Sequence, residues 1–323
     1  MKNWLALSVA ALALTAGMAK AADAPKDIAV VIKATDSDFW QYLAVGANNY
    51  AKDHPEVKVT IYGAPSETDV DKQVAILENL VAKKVPGILV AASSSDAPAP
   101  VLQQAQQAGI SVVSADNRVT GLDAPHLATD NAKAGAQAAD KLVEILKSRN
   151  VPLKGKVSLI SAEAGVEVLS KRDEGFTTRL AEIAPDLKLL STRYVDNDIQ
   201  KAMAALSDQM LANADLVGVF ADNNHTGDGA ALAIRDASKG GKVAAVAFDS
   251  DPEEVHSLQD GLLDALVLQD PYGMGYKGLD YVMRQMKGEK LPAYTDTGVA
   301  LATKANMDDA KMKGLLDPFS LKK

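Results

Sequence analysis

The 323-residue chain predicts an α/β protein of two doubly wound, parallel-sheet domains, and three observations carry that expectation. Short β-branched runs alternate with amphipathic segments along almost the whole length, the pattern of consecutive βαβ units. Those runs are nearly continuous in apolar residues, as expected of strands covered by helices on both faces. The alternation restarts near residues 127–131, and the chain is long enough for two domains of ordinary size.

Residues 28–32, IAVVI, read as the first strand, and 33–38 as a polar loop. Trp40, Leu43, Ala44, Ala47 and Ala51 then recur at helical spacing. Strand 57–62 follows. Helix 69–83 puts Val70, Val74, Leu77 and Val81 on one face, with Asp69 at the N-cap position and Lys83 and Lys84 at the negative end. Strand 87–91, helix 97–108 and strand 111–115 complete the first half. After the restart come helix 132–147, the exposed connector SRNVPLKGK, strand 157–160, helix 166–183, strand 188–195, helix 199–212, strand 216–220 and helix 227–238. Strands 243–248 and 265–268, helix 272–287, an extended stretch 295–302 and a polar tail close the chain.

Composition narrows the function. With 47% hydrophobic and 24% charged residues the chain is that of a globular protein, and its net charge of −8 argues against nucleic acid or an anionic membrane surface as partner. A neutral small ligand suits it better. Lys2, the apolar run 4–16 and the small residues of Ala19-Lys20-Ala21 predict a cleaved secretory signal peptide over residues 1–21. Its apolar run is shorter than the roughly 20 residues a bilayer requires. There is no cysteine, hence no disulfide, thiolate metal site, thiol nucleophile or lipid-attachment point, and an exported protein without an anchor is expected in a bacterial periplasm. His54, His126, His225 and His256 lack metal-ligand spacing and read as surface or turn residues, so neither metal nor cofactor is expected.

Chemistry gathers at strand ends. Lys33, Asp116, Asn223, Asp249 and Gln269 each fall at or just past the carboxyl end of a predicted strand, where an open α/β sheet holds its ligand. Phe39 and Trp40, beside Lys33, Asp36, Ser37 and Asp38, add a flat apolar face. Carboxylates there accept from adjacent hydroxyls, while Asn, Gln and Lys donate. Each residue also has a plainer reading: Asp and Asn as helix caps, and Phe39-Trp40 as a hydrophobic staple.

In order, the stretches IAVVIKATDSDFW, GILVAASSSDA, ISVVSADNR, HLATDN, SKRDEGF, GVFADNN, VAFDSDP and ALVLQDP resemble the periplasmic pentose- and hexose-binding proteins of bacterial ABC transporters, of the ribose- and allose-binding type. The resemblance covers essentially the whole chain after residue 21. It implies the type I periplasmic binding protein fold, with a hinge of three segments crossing near Asp130-Asn131, Gln269-Asp270 and Gly298. The lobes would be 25–130 with 270–298, and 131–269 with 299–323. It implies that Phe39 and Trp40 stack on a sugar ring, that Lys33 belongs to the allose-like pattern, and that Ser37 stands for a loop Asn. It places the first-lobe acid at Asp116, that acid's basic neighbour at Asn117 with Arg118 beyond, the second-lobe Arg at Arg172, and later polar ligands at Asn223, Asp249 and Gln269. Arg172 also has a plainer reading, as half of a surface pair with Asp173 or Glu174. Where the family often has a second-lobe aromatic, Asn197 stands here, so the second face of the ligand is expected to meet amides and water, with room for a polyol, a furanose or a less usual sugar. The function implied is capture of a neutral sugar or polyol by a monomer that hands it to an inner-membrane ABC permease. The alternative is a binding protein for a furanose-like signalling molecule that a chemoreceptor reads.

Other classes fit less well. Gly273-Met274-Gly275-Tyr276-Lys277-Gly278 matches the dinucleotide-binding GxGxxG, but only 45 residues follow, too few for the βαβ unit and its ribose-binding acid. No Ser/His/Asp order suggests a hydrolase. The lactose-repressor family shares the fold, but a signal peptide is expected where its DNA-binding headpiece would be.

Overall fold

The computed structural model describes residues 24–323; the signal-peptide expectation, residues 1–21, lies outside them. In chain order the first part comprises β1 (Lys26–Ala34), α1 (Asp38–Asp53), β2 (Val57–Ala64), α2 (Val70–Ala82), β3 (Gly87–Ala91), α3 (Ala99–Gln107), β4 (Ser111–Ala115) and β5 (His126–Ala128). The second comprises α4 (Asn131–Ser148), β6 (Gly155–Ser161), α5 (Glu167–Ile183), β7 (Leu187–Leu189), β8 (Arg193–Tyr194), α6 (Ile199–Ala212), β9 (Leu216–Ala221), α7 (Asn224–Asp236), β10 (Ala244–Phe248), α8 (Pro252–Asp260) and β11 (Ala265–Leu268). The chain ends with α9 (Pro271–Met286), β12 (Tyr294–Asp296), β13 (Ala300–Ala302), α10 (Ala310–Leu316) and a 3₁₀ turn, Pro318–Leu321.

Two sheets result, one per lobe, as expected for a doubly wound α/β protein. The first has the order β12-β5-β4-β3-β1-β2 and the second β13-β11-β10-β9-β6-β7. Every pairing in the first sheet is parallel; in the second only β13 on β11 is antiparallel. Strands such as β3 and β10 are buried at every residue, because each sheet is covered on both faces. In the first lobe α1 and α9 pack on one face, and Leu77 and Leu80 of α2 with Leu102 of α3 pack on the other. In the second, α4 and α5 cover one face, and α6, α7 and α10 the other.

Three segments cross between the lobes, between β5 and α4, between β11 and α9, and between β12 and β13. The glycines of the GxGxxG match do not form a phosphate loop. They lie on α9, where a Cβ at Gly275 would come within 2.0 Å of the Leu43 carbonyl oxygen on α1, so the two helices approach closely there. Gly175 on α5 allows the same approach to α4, its Cβ position being 2.0 Å from the Ala132 carbonyl oxygen.

The elements differ from expectation in four places. Strand 188–195 is two short pieces, β7 and β8, both beside β6. β5 and α10, of three and seven residues, are too short for periodicity to reveal. Helix α8 has only Leu258 as a buried apolar residue, so its stripe is thin. Its boundary signals were nonetheless present: Asp251 accepts from the Glu254 amide at 2.8 Å, Pro252 opens the helix, and Gly261 closes it at φ 73°.

The tail touches both lobes. Met312 and Leu315 of α10 pack on the second-lobe core, and Ser250 Oγ donates to the Leu315 carbonyl at 3.2 Å. The 3₁₀ turn then lies against α1, with Phe319 edge-on to Tyr42 at 4.7 Å and Asn49 Nδ2 donating to the Leu321 carbonyl at 2.6 Å. Residues 318–323 thus contact the first lobe rather than only the second.

Candidate functional site

The carboxyl ends of both parallel sheets open on one narrow cavity between the lobes. The first lobe lines it with Lys33, Phe39, Trp40, Glu67 and Asp116; the second contributes Arg172, Asn197, Asn223, Asn224 and Asp249, with Gln269 at a crossing.

Asp116 and Asp249 occupy matching positions in the two lobes. Each follows a strand in the left-handed region, at φ 63° and 78°, and each amide bonds to the neighbouring strand, to the Leu127 and Val267 carbonyls at 2.9 Å. Positive φ is uncommon for Asp and costs on the order of 1 kcal/mol or more. Neither caps a helix: Asp251, not Asp249, caps α8. The turn instead aims each carboxylate into the crevice. Asp116 meets Lys33 Nζ at 2.6 Å, both side chains almost fully buried, and Lys33 Nζ also stands 5.0 Å from the Trp40 ring centre. Asp249 accepts from Gln269 Nε2 at 2.7 Å and lies 4.0 Å from Arg172.

Arg172 is no surface partner of Asp173 or Glu174. It is 2% exposed, with its guanidinium 3.4 Å from the Phe248 ring centre and its N–H groups donating to Asn131 Oδ1 at 2.9 and 3.2 Å and to the Asp222 carbonyl. Asn223 has two roles. Its Oδ1 caps α7 by accepting from the Thr226 amide at 3.0 Å, while its Nδ2 donates to Asn197 Oδ1 at 2.7 Å on the cavity wall. Phe39 and Trp40 meet edge to face, centroids 4.7 Å apart, and both line the cavity while belonging to the first-lobe core.

Two expected residues stand off the wall. Ser37 is buried at the N-cap position of α1 with no partner for its hydroxyl. Asn117 lies behind Asp116, donating to the Ala92 carbonyl at 3.0 Å and accepting from the Val168 amide across the lobes at 3.4 Å. The second-lobe wall carries the expected amides, Asn197, Asn223 and Asn224, and beside them Ala162, Val166, Val168 and Leu169 form a small apolar cluster. Glu67 and Glu163 are further additions. They follow β2 and β6, so the strand-end rule that singled out Asp116 pointed at them too. His126 is buried rather than superficial. It pairs with Ser114 Oγ at 2.9 Å, and burial pulls its imidazole down to about 4. No cluster of metal-ligating side chains occurs among the described residues.

Burial dominates the electrostatics. It pushes Asp249 up to about 6, against the opposing pull of Arg172 and the Gln269 hydrogen bond. Beneath the site Asp173 and Asp222 are raised by burial, and Asp173 also by the charge of Asp222. Asp228 of α7 and Glu254 of α8 are raised by burial and by Asp251. A carboxyl whose folded value lies above its unfolded value of about 4 binds more protons folded than unfolded, so stability falls as pH rises through the interval between the two. The midpoint temperature of the ligand-free protein is therefore expected to decline from pH 5 to pH 9, measured by calorimetric scanning. A rise across that range would show these carboxyls ionising freely in the folded state.

Residues 28–290 match the periplasmic binding protein domain, so the chain belongs to that family. The ribose import binding protein of Salmonella typhimurium is 29% identical over 301 residues, 93% of this chain and 98% of that protein. A carbohydrate transporter solute-binding protein from Agrobacterium radiobacter, solved with D-arabinose, is 34% identical with a TM-score of 0.87, covering 92% of this chain and all of that one. An ABC transporter solute-binding protein from Agrobacterium vitis, solved with D-fucose, is also 34% identical, with a TM-score of 0.84 over 90% of this chain and all of that one. These relatives are transport proteins, not enzymes.

Proposed function

We propose that this member of the periplasmic binding protein family captures a neutral sugar or polyol between its lobes and delivers it to an ABC importer. One observation carries the reading: a cavity lined from both lobes, with an aromatic pair on one side and a buried carboxylate from each lobe, Asp116 and Asp249. A polyhydroxy ligand bonded to both lobes stabilises the closed form, whereas one bonded to a single lobe would leave the equilibrium unmoved. Relatives that bind ribose, D-arabinose or D-fucose support the ligand class.

In this reading Phe39 and Trp40 pack on the C–H face of the ligand, Asp116 and Asp249 accept from hydroxyls, and Lys33, Arg172, Asn197, Asn223 and Gln269 complete the hydrogen bonds. Ser37 and Asn117 act from behind the wall. The lobes are 25–130 with 270–298 and 131–269 with 299–317, linked again by the tail. The protein works as a monomer in the periplasm after removal of residues 1–21, and its closed form is what the permease, and any chemoreceptor, reads.

Trp40 is the one tryptophan after residue 21, which makes it a clean probe. Calorimetry against D-ribose, D-allose, D-arabinose, D-fucose, D-glucose and linear polyols is expected to yield at least one binder, and that binder to change Trp40 fluorescence. Binding that Trp40→Ala leaves equally tight would remove the stacking role; no binder in the panel would remove the reading itself.

A further inference from the structure

Glu67 and Glu163 enter the cavity wall from opposite lobes, one after β2 and the other after β6. Glu67 Oε1 accepts the Trp40 indole N–H at 2.7 Å, which fixes the carboxylate against the ring that walls the cavity. Glu163 has no hydrogen-bonding partner among the described residues; the charges facing it are Glu67 and Lys33 across the cleft and Asp196 on its own lobe. The other charged groups of the wall are Asp116, Arg172 and Asp249. Each base already faces an acid, Lys33 at 2.6 Å from Asp116 and Arg172 at 4.0 Å from Asp249. The two glutamates are left over, half-buried on opposite walls of one small cavity. Like carboxylates in such a space do not both stay ionised without a proton or a donor between them.

We propose that Glu67 and Glu163 form an interlobe acceptor pair that selects for hydroxyl or amine donors at one end of the ligand, and that closure over a neutral sugar draws a proton into the cleft. The proton comes from solvent and resides on Glu163, which burial and the charge of Glu67 push above the ordinary glutamate range. The protonated carboxyl then donates where the carboxylate could only accept, so the pair can bridge a hydroxyl from both sides. A carboxylate or phosphate at that end of the ligand meets two acids and is rejected. This inference rests on the sugar-binding reading and adds residues to it.

Proton uptake distinguishes the two. Calorimetry of the protein with D-ribose, D-allose, D-arabinose and D-fucose, in phosphate and in Tris, is expected to give binding heats that differ between buffers, by no more than the equivalent of about one proton. Affinity should tighten as pH falls from 8 to 6.5, above the range in which Asp249 loses its acceptor charge, by up to about tenfold per unit. In Glu163→Gln the buffer difference should fall by at least half. Equal heats in both buffers, or an uptake that Glu163→Gln leaves intact, would overturn the pair while the sugar-binding function stood. Failure of all four sugars to bind would overturn the function, and the inference with it.

Discussion

Arg172→Ala is expected to lower unfolding free energy by about 3–5 kcal/mol, the range for leaving a buried charge system without one member, and to abolish measurable sugar binding. Arg172 is the one base among the second-lobe residues of the cavity wall, and its removal acts on several groups at once. Asn131 and the Asp222 carbonyl lose their donors, the face of Phe248 loses its cation, and Asp249, Asp222 and Asp173 lose the positive charge that opposes their desolvation. Urea unfolding at pH 7 measures the first effect and calorimetry the second. A variant as stable as the parent would return Arg172 to a peripheral role. Arg172→Lys separates charge from shape, since an ammonium cannot reach Asn131 and Asp222 together as the planar guanidinium does.

Asp116→Ala and Asp249→Ala are each expected to weaken the cognate sugar by about 1.5–3 kcal/mol, the value of a hydrogen bond to a charged group, or roughly ten- to a hundredfold. Because the two carboxylates sit on different lobes, each loss is also a loss of bridging, so the population of closed protein falls along with affinity. The variants should part in pH response. Asp249, pushed up to about 6, is partly protonated at pH 6 and ionised at pH 8, so its share of the parent's pH dependence should vanish in Asp249→Ala. Variants that lose stability without losing affinity would make both residues structural.

Much of this was legible because a polar residue closing an apolar run is conspicuous. Lys33, Asp116, Asn223, Asp249 and Gln269 all mark strand ends in that way, and all reach the cavity. Glu67 and Glu163 obey the same geometry but lie three and two residues beyond their strands, Glu67 within the polar run 66–69 and Glu163 between two alanines, so neither closes its apolar run directly. Arg172 is harder still. Its helix carries SKRDEG, a charged run that reads as a solvated face, and it is buried because Gly175 lets α5 approach α4 so closely that Asn131 and Arg172 meet. Burial of that kind depends on packing between helices some forty residues apart, which local pattern does not encode. The apolar wall from Val166 to Leu169 escaped notice for the opposite reason: three ordinary aliphatic residues at a helix start look like core.

The tail bears on the order in which the molecule can be built. The first lobe holds the earliest strand, yet it also needs α9, β12 and the final turn, and Asn49 bonds the carbonyl of a residue 272 positions later. Contacts so distant in sequence form slowly, because the chain between them must be gathered in first. The second lobe lies between those parts and, apart from β13 and α10, draws on one continuous stretch, so it can assemble while the first is still incomplete. A chain emerging from its amino end therefore exposes the half-finished face of α1, with Leu43 and Ala47 awaiting α9, until residues 271–286 have appeared. Compaction of the first lobe therefore waits on the segments that are made late.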